Sequence, residues 1–326
     1  MIPKKILPED SCVLDWCKSQ SITEAPMAYT LVAGLSMIGA LLKRNAYIDH
    51  ERFKIWPNIS LLLIGPSGIG KDLTIKFTQE IIETIGGLDI IAGRTIEYFK
   101  KQLGKVGDPA ACYAPYPELT AFLGGKDYQA SLVQELTDIL STNDTLDVST
   151  KGEGTIIIPR PTVTMHTGST AAWLYKATPD GALEGGFFPR FAIVCAKYAH
   201  QHIAWAKYDS TKHELMRANE AKAAFIDGVK RGLAKFKTPR AMVPTSDARD
   251  FYRNWYWNRF KWFSPEVQAY ANRSRDLVHK FALTCAVSRQ HTYLEEVDYR
   301  AAVDIMAEIA KGIEETIKPM LRVARR

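Results

Sequence analysis

The stretch ISLLLIGPSGIGKD, Ile59–Asp72, decides the fold. Its first half, Ile59–Ile64, is apolar almost without interruption, which predicts a central β-strand buried on both faces. The second half, Gly65–Lys71, fits the pattern G-x-x-x-x-G-K, in which glycines bring backbone N–H groups against phosphates and the lysine reaches them. Leu73–Ile85 then has apolar residues at the spacing of a helix face. The loop is therefore expected at a helix N-terminus, where the helix dipole favours an anion.

This order of strand, loop and helix predicts a site for ATP and Mg²⁺. The residues expected to bind the nucleotide are Gly65, Pro66, Ser67, Gly68, Ile69, Gly70, Lys71, Asp72 and Leu73. Position 72 departs from the usual Ser or Thr, whose hydroxyl binds Mg²⁺. The Asp72 carboxylate can also bind Mg²⁺, but it adds negative charge beside the phosphates. A glycine-rich turn that binds nothing is the alternative.

Length and composition allow a large buried core. The chain has 326 residues, of which 46% are hydrophobic, and this predicts one large domain with a smaller addition. We expect a helical segment at residues 1–56, an α/β core at 57–200 and a helical domain at 201–326. The five cysteines form no C-x-x-C pair, which favours reduced thiols and hence a cytoplasmic location.

An uncharged run at Ala25–Leu42 is close to the minimum length for crossing a bilayer. Its Pro26, Gly34 and Gly39, together with its polar residues, favour a buried helix that packs closely against other elements. The first ten residues, MIPKKILPED, lack the apolar core of a signal peptide. The sequence therefore predicts a protein without membrane contacts.

Charge is distributed unevenly along the chain. Residues 1–200 contain 19 Lys and Arg against 21 Asp and Glu, and residues 201–326 contain 23 against 15, so the formal +6 combines −2 and +8. Residues 230–263 interleave cations with aromatic rings, which suits a single nucleic-acid strand through phosphate neutralisation and base stacking. The same spacing also fits an aromatic helix face in the core with solvated charges behind it.

Two later strand ends supply candidate catalytic groups. Glu118 follows the strand candidate at 110–113, where P-loop ATPases carry an acid that orients the attacking water or holds Mg²⁺. Pro117 stands where the usual Asp would be, and a surface role for Glu118 is the alternative. Thr167 and Ser169 lie at the end of a strand predicted at 161–167, where a hydroxyl can sense the γ-phosphate.

Four basic positions complete the predicted site. Arg190 directly precedes the apolar strand Phe191–Cys195, a position that suits a finger reaching into a neighbouring subunit's ATP site, although a surface ion pair fits it equally. Arg273 and Arg275, early in a C-terminal helix, are expected to fold over ATP from a lid. Lys151 lies in a polar, glycine-bearing segment at 142–154 that predicts a projecting hairpin or loop.

With these residues assembled, the chain resembles phage and prophage P-loop ATPases related to replicative helicases, which are distantly similar to the AAA+ class and its MCM helicases. The resemblance rests on WPN running into GPSGIGKD, on PELTAFLG at 117–124, on GST after the strand at 161–167, on GGFFPRF at 185–191 and on RSRDLVHKFAL at 273–283. It implies an α/β, three-layer, AAA+-like P-loop NTPase core with an N-terminal helical lead-in and a C-terminal helical lid.

The resemblance also implies roles and partners. Lys71 would bind phosphates, Asp72 and Glu118 would lie near Mg²⁺, Glu118 would activate water, and Arg190 would act on the neighbouring subunit's ATP. The assembly would be a homo-oligomeric ring of six subunits around single-stranded or forked DNA, with Lys151 as the DNA contact. Primase or polymerase proteins of a phage or mobile element, in the bacterial host cytoplasm, would be further partners.

Two functions follow from these expectations. The first is an ATP-hydrolysing DNA helicase module for replication. The second is a helicase loader or other assembly ATPase without unwinding activity. A small-molecule kinase that uses the same loop is a third possibility, and it requires a monomer with an acceptor pocket.

Overall fold

The computed structural model describes residues 3–93, 95–119, 129–150, 154–177, 186–205, 208 and 210–320. The strands are β1 (Ala46–Asp49), β2 (Lys54–Ile55), β3 (Ser60–Ile64), β4 (Asp89–Ile90), β5 (Ala111–Tyr116), β6 (Thr145–Thr150), β7 (Gly154–Pro159), β8 (Thr162–Ser169), β9 (Phe191–Cys195), β10 (Arg240–Ala241), β11 (Val243–Pro244) and β12 (Tyr293–Leu294). The helices are α1 (Pro3–Ile6), α2 (Val13–Ser19), α3 (Met27–Leu42), α4 (Lys71–Ile85), α5 (Ile96–Leu103), α6 (Gln129–Ile139), α7 (Ala171–Ala177), α8 (Lys212–Leu233), α9 (Ser246–Asn258), α10 (Gln268–Ser288) and α11 (Glu296–Gly312).

The fold is mixed α/β, built on a five-stranded parallel sheet in the order β4-β5-β8-β3-β9. Every residue of β3 and of β8 is buried, as the continuous apolar run in β3 predicted. After β3 the chain crosses through α4 to the far edge strand β4, and only β9 returns to the other side of β3. The connections therefore reverse direction at β3, which places a ligand crevice beyond its carboxyl end.

Helices cover both faces of the sheet. On one face, Ser36 of α3 hydrogen-bonds His166 of β8 at 2.6 Å, and the Tyr113 hydroxyl of β5 donates to the Ile75 carbonyl of α4 at 3.3 Å. Tyr116 is three residues from Tyr113 and so points to the opposite face. There its ring meets Phe99 of α5 at 6.2 Å between centroids. The core is thus compatible with a three-layer α/β/α arrangement.

The N-terminal and C-terminal helices pack on each other, so the segment boundaries at 56 and 200 do not separate independent cores. Trp16 of α2 lies 5.5 Å from Phe225 of α8. Ser11, before α2, hydrogen-bonds Ser288 at the end of α10 at 2.7 Å. The buried residues of all these elements form one continuous hydrophobic cluster.

The uncharged run at 25–42 is a core helix. Residues 29–42 of α3 are all buried. Ser36 donates to the Ile59 carbonyl at one end of β3, and the Tyr29 hydroxyl donates to the Ile64 carbonyl at the other end, both at 2.6 Å. Within the described chain, no helix is both long and apolar enough to cross a bilayer.

A hairpin leaves the amino-terminal edge of the sheet. Strands β6 and β7 pair antiparallel from Thr145–Pro159 to Thr150–Gly154, which agrees with the hairpin predicted at 142–154. Its base is held by Arg44, whose side chain is 3% exposed. The guanidinium donates to the Asn143 carbonyl at 2.6 Å and to the Thr162 hydroxyl at 2.9 Å. The predicted DNA contact, Lys151, lies outside the described residues.

Candidate functional site

The predicted phosphate-binding segment, Gly65–Lys71, is called the glycine loop below. It leaves the carboxyl end of β3 and leads directly into α4, which begins at Lys71. The Lys71 ammonium donates to the carbonyls of Gly65 at 2.9 Å and Pro66 at 2.8 Å. The lysine therefore lies across the mouth of the loop, where its partners are neutral carbonyls that a phosphate can replace.

The loop needs glycine for two separate reasons. Gly70 has φ +94°, a left-handed conformation that costs a residue with a side chain free energy. At Gly65 the restriction is space, because an added Cβ would lie 2.6 Å from the Tyr29 hydroxyl and 2.7 Å from the Ala196 carbonyl. These contacts hold the backbone of the loop close to β9 and α3, and leave its outer side open for a ligand.

A cavity of about 720 Å³ opens beside the loop, within the range of small-molecule sites. Its lining comes from the loop and α4, the segment before α3, the segments after β5 and β8, α7 and the segment after β9: Ile22, Thr23, Glu24, Ser67, Gly68, Gly70, Lys71, Asp72, Leu73, Phe77, Glu118, Thr170, Trp173 and Ile203. We call this the loop cavity. It joins one polar side, suited to phosphates, with apolar side chains suited to a flat base.

The charges in the loop cavity are mostly negative. Burial lowers the pKa of the Lys71 ammonium, and the nearby Asp72 and Glu118 carboxylates act in the opposite direction. With Glu24, the lining contains three acids and one cation. A nucleoside triphosphate bound here would need additional positive charge from a metal ion or from another molecule.

Asp72 and Glu118, the two predicted metal ligands, both line the loop cavity. Mg²⁺ is commonly held by one or two carboxylates together with substrate phosphates and water, so this pair fits a nucleotide-bound ion. Among the described residues, no group of three or more His, Cys, Asp or Glu side chains is arranged as a metal site. The pair alone is consistent with a metal that arrives with the nucleotide.

The predicted phosphate sensors are placed differently from expectation. Thr167 and Ser169 are both fully buried in β8, and neither lines the loop cavity. Other elements cover both faces of β8, so the side chains that point to either face of this strand are buried. The next residue, Thr170, lines the cavity and caps α7 by accepting a hydrogen bond from the Trp173 amide at 3.2 Å. Thr170 is the polar residue that this strand end presents to a ligand.

Arg190 lies at the amino-terminal ends of the parallel strands, whereas Lys71 lies beyond the carboxyl end of β3. It ends a short 3₁₀ turn just before β9, whose first residue, Phe191, pairs with Ser60 at the start of β3. The length of β3 alone separates the two edges by about 13 Å, at roughly 3.3 Å per residue. Arg190 therefore cannot act on a nucleotide in its own chain's loop, and a role toward another subunit stays a prediction.

The expected lid is not formed by the described C-terminal helices. Arg275 lies with Arg190 and Arg273 in a second cavity, not in the loop cavity. The physical reason is that α10 packs against α3 and β1, which places its first turns at the amino-terminal edge of the sheet. The end of α11 does approach the back of the loop, where Gly312 and Glu315 share a cavity with Gly65.

The aromatic and basic segment at 230–263 is mainly core. Trp255 is buried, and Tyr252 packs its ring 4.2 Å from that of His279. Trp257 and Phe260 are exceptions, with 76% and 40% of their surfaces exposed. The core interpretation of this segment therefore accounts for most of its rings.

The sequence did not single out several residues that shape the site. Tyr29 supports the loop from below, while Ile22 and Ile203 form the apolar side of the cavity. Ile203 is held there because its amide donates to the Glu24 carboxylate at 2.8 Å. Leu73, one of the predicted nucleotide-binding residues, lines the cavity together with Phe77 one turn further along α4, whereas Thr74 and Thr78 are buried with Ile81.

No protein-family profile and no curated protein matches the chain.

Proposed function

We propose that the chain is an ATP-driven nucleic-acid motor, the helicase module of a phage or mobile-element replication system. The observation that carries the proposal is the glycine loop itself. Lys71 lies across the loop carbonyls at the start of α4, and the acids Asp72 and Glu118 line the same cavity. Backbone amides at a helix N-terminus, one lysine and two carboxylates are the groups that phosphoryl transfer to water requires.

The residues divide the chemistry in a simple way. Lys71 exchanges its carbonyl partners for the β- and γ-phosphates, Asp72 holds a nucleotide-bound Mg²⁺, and Glu118 orients the attacking water. Leu73, Phe77 and Ile203 supply apolar surface for the base. The protein is proposed to act as a ring, because Arg190 lies too far from its own loop and serves a neighbouring one.

The binding step is tested with a fluorescent ATP analogue. We expect Lys71→Ala to weaken binding by at least about tenfold, since a charged hydrogen bond to phosphate contributes roughly 1.5–3 kcal/mol. Lys76→Ala is the matched control, because Lys76 is exposed one turn further along α4. Equal loss in both variants, or no binding by the unaltered protein, contradicts the nucleotide site.

The motor is tested by ATP turnover with and without DNA. Glu118→Gln should retain ATP binding and lose DNA-stimulated hydrolysis and the unwinding of a forked duplex, while Glu97→Gln, exposed on α5, leaves both unchanged. ATP-dependent assembly that persists in Glu118→Gln, with no unwinding by the unaltered protein, instead supports a helicase loader. The excess of acids in the loop cavity favours that alternative, because it slows turnover in an isolated chain.

A further inference from the structure

The outward face of α9 presents rings and cations to solvent. Four residues share this side of the helix, and of the short 3₁₀ turn that continues it, at a spacing of about one helical turn: Arg253, Trp257, Phe260 and Lys261. Trp257 is 76% exposed, and the Arg253 side chain is 73% exposed. Trp255 lies on the opposite side of the helix and is buried. The packing of α9 in the core therefore does not explain its outward face.

Arg259 holds the rings at the end of α9 in place. Its guanidinium lies 3.8 Å from the ring centre of Tyr256 and 4.1 Å from that of Phe260. Arg259 is itself buried, and it donates to the Ala271 carbonyl of α10 at 3.3 Å. The ring of Trp257 lies 5.1 Å from that of Tyr256. Because these rings are positioned before a ligand arrives, stacking on them costs little conformational entropy.

A continuous series of ring contacts connects α9 to another exposed ring, that of Phe53. Phe53 stacks on His50 with 4.8 Å between ring centres. His50 lies 4.9 Å from His279 of α10, and His279 lies 4.2 Å from Tyr252 of α9. Tyr252 in turn lies 6.0 Å from Tyr256. The exposed rings at the two ends of this series thus share one buried support.

Arg275 adds a cation between the two ends. Its guanidinium lies 5.6 Å from the ring centre of Phe53, and its side chain is 37% exposed. Burial acts to lower the pKa of Arg275, but Asp276 and the hydroxyls of Tyr252 and Tyr256 outweigh this effect and raise it. Arg275 is therefore close to both tyrosines. We use the name aromatic ridge for the exposed members of this surface: Phe53, Arg253, Trp257, Phe260, Lys261 and Arg275.

The cations of the aromatic ridge exceed the acids beside them. Asp276 accepts from Arg275 at 2.8 Å and from Arg273 at 3.5 Å, so one carboxylate serves two arginines. Lys261 donates to the uncharged side chain of Asn258 at 2.8 Å. The surface therefore carries a net positive charge, which suits a polyanion.

Arg253 has an acid of its own. Asp250 lies 3.6 Å from its guanidinium, and both side chains are exposed. An exposed pair of this kind contributes little stability, because water screens both charges. A phosphate that approaches Arg253 can therefore compete with Asp250 for it.

We propose that the aromatic ridge binds single-stranded DNA, with bases stacked on its exposed rings and phosphates at its cations. Flat rings interleaved with cations are the groups that a single strand requires, whereas a duplex keeps its base faces covered. An acidic protein segment would satisfy the cations but would not use the rings. The site is additional to the DNA contact expected at Lys151, and it requires no nucleotide at the glycine loop. The choice of DNA over RNA rests on the proposed function; the stacking does not.

Stacking is tested by the fluorescence anisotropy of a labelled deoxythymidine strand of about 12 nucleotides, without ATP. Trp257→Leu removes the flat ring and keeps an apolar side chain, so it should weaken binding by at least about fivefold, equivalent to about 1 kcal/mol. Trp257→Phe should keep most of the affinity, because it keeps a flat ring. Trp205→Leu is the matched control, since Trp205 is 66% exposed and lies outside the ridge, and it should bind like the unaltered protein.

The phosphate contacts are tested by the salt dependence of the same binding. Lys261→Gln should reduce the slope of log affinity against log salt by about 0.7, the contribution of one phosphate contact on a single strand. Arg217→Gln, exposed on α8, is the charge-matched control and should leave the slope unchanged. An unchanged slope in Lys261→Gln would overturn the role of this cation in the ridge.

The position of the strand is tested by photocrosslinking with iodouracil in place of thymine, which reacts with an aromatic side chain stacked on it. We expect crosslinks to Trp257 or Phe260. Crosslinks confined to other parts of the chain, or wild-type affinity in Trp257→Leu, would overturn the inference. Binding of a polyglutamate peptide that depends on Trp257, without binding of the strand, would assign the ridge to an acidic protein segment. Tighter binding of an RNA strand that depends on Trp257 would overturn the choice of DNA.

Lys71→Ala separates this inference from the proposed function. The variant should lose binding of the ATP analogue and keep the affinity for the strand, because the ridge does not include the glycine loop. An unaltered protein that binds no ATP, but binds the strand through Trp257, would contradict the proposed function and support the ridge. Urea denaturation of Trp257→Leu should show a change below about 0.5 kcal/mol, since the side chain is exposed, and a larger loss would identify a structural role instead.

Discussion

Removal of the Arg44 guanidinium should destabilise the protein by breaking the base of the hairpin. The side chain is buried between the end of α3 and the β6–β8 region and donates to the carbonyls of Asn143 and Pro161 and to the Thr162 hydroxyl at 2.6–3.2 Å. Its contact with Asp144 is longer, 3.5 Å, and that carboxylate is 98% exposed. The neutral acceptors therefore carry the interaction, and the ion pair contributes little.

The size of the effect follows from these contacts. Arg44→Met keeps most of the stem volume and leaves two backbone carbonyls and one hydroxyl without their donor, at about 1 kcal/mol or more for each. Burial lowers the pKa of Arg44, which shows that its buried charge is itself unfavourable. Removing this charge therefore offsets part of the lost stability. We expect a net loss of about 2–4 kcal/mol, against less than about 0.5 kcal/mol for Asp144→Asn.

Urea denaturation of the unaltered protein and the two variants, at low and at high salt, measures both values. The Arg44→Met loss should be independent of salt, because the acceptors are uncharged. Amide hydrogen exchange should localise the weakened protection to β6 and β7. A loss below 1 kcal/mol, or an equal loss in Asp144→Asn, would refute the assignment of Arg44 as the anchor of the hairpin.

Two further predictions follow from single contacts. Gly39→Ala should cost at least about 2 kcal/mol in urea denaturation, because the new Cβ would lie 2.2 Å from the Pro57 carbonyl, whereas Gly107→Ala, with no atom within 4 Å, should stay within about 0.5 kcal/mol. Burial lowers the pKa of His166 from 6.5 to about 3, so its unfolded form takes up the proton first and stability falls as the pH drops below 6.5. At pH 5 this loss of stability is up to about 2 kcal/mol. His166→Gln should remove this contribution from the measured pH dependence of the free energy of unfolding. The same decrease in stability below pH 6.5 in the variant would contradict the prediction.

Local patterns predicted the strand, loop and helix around Lys71 because each part is determined by its own few residues. The continuous apolar run of β3, the glycine loop that follows it and a helix that includes Leu73–Ile85 all appear where the sequence placed them. The hairpin at β6 and β7 was predictable for the same reason. In each case turn residues and periodicity act over short distances.

The rest depended on contacts between distant parts of the chain. Arg275 was expected over the nucleotide, but the packing of α10 on α3 carries it to the opposite edge of the sheet. Thr167 was expected at a strand tip, and β8 continues two residues further than its sequence pattern suggested. Arg44 had a weak signal in the sequence, as an arginine between the long apolar helix and a strand, but its acceptors lie about a hundred residues away.

Strand β3 connects the glycine loop to the amino-terminal edge of the sheet. The glycine loop begins at the carboxyl end of this strand, and Asn58 lies just before its amino end, in contact with Lys280. Because α3 is hydrogen-bonded to both ends, through Ser36 to Ile59 and through Tyr29 to Ile64, the strand and the helix form one closely packed unit.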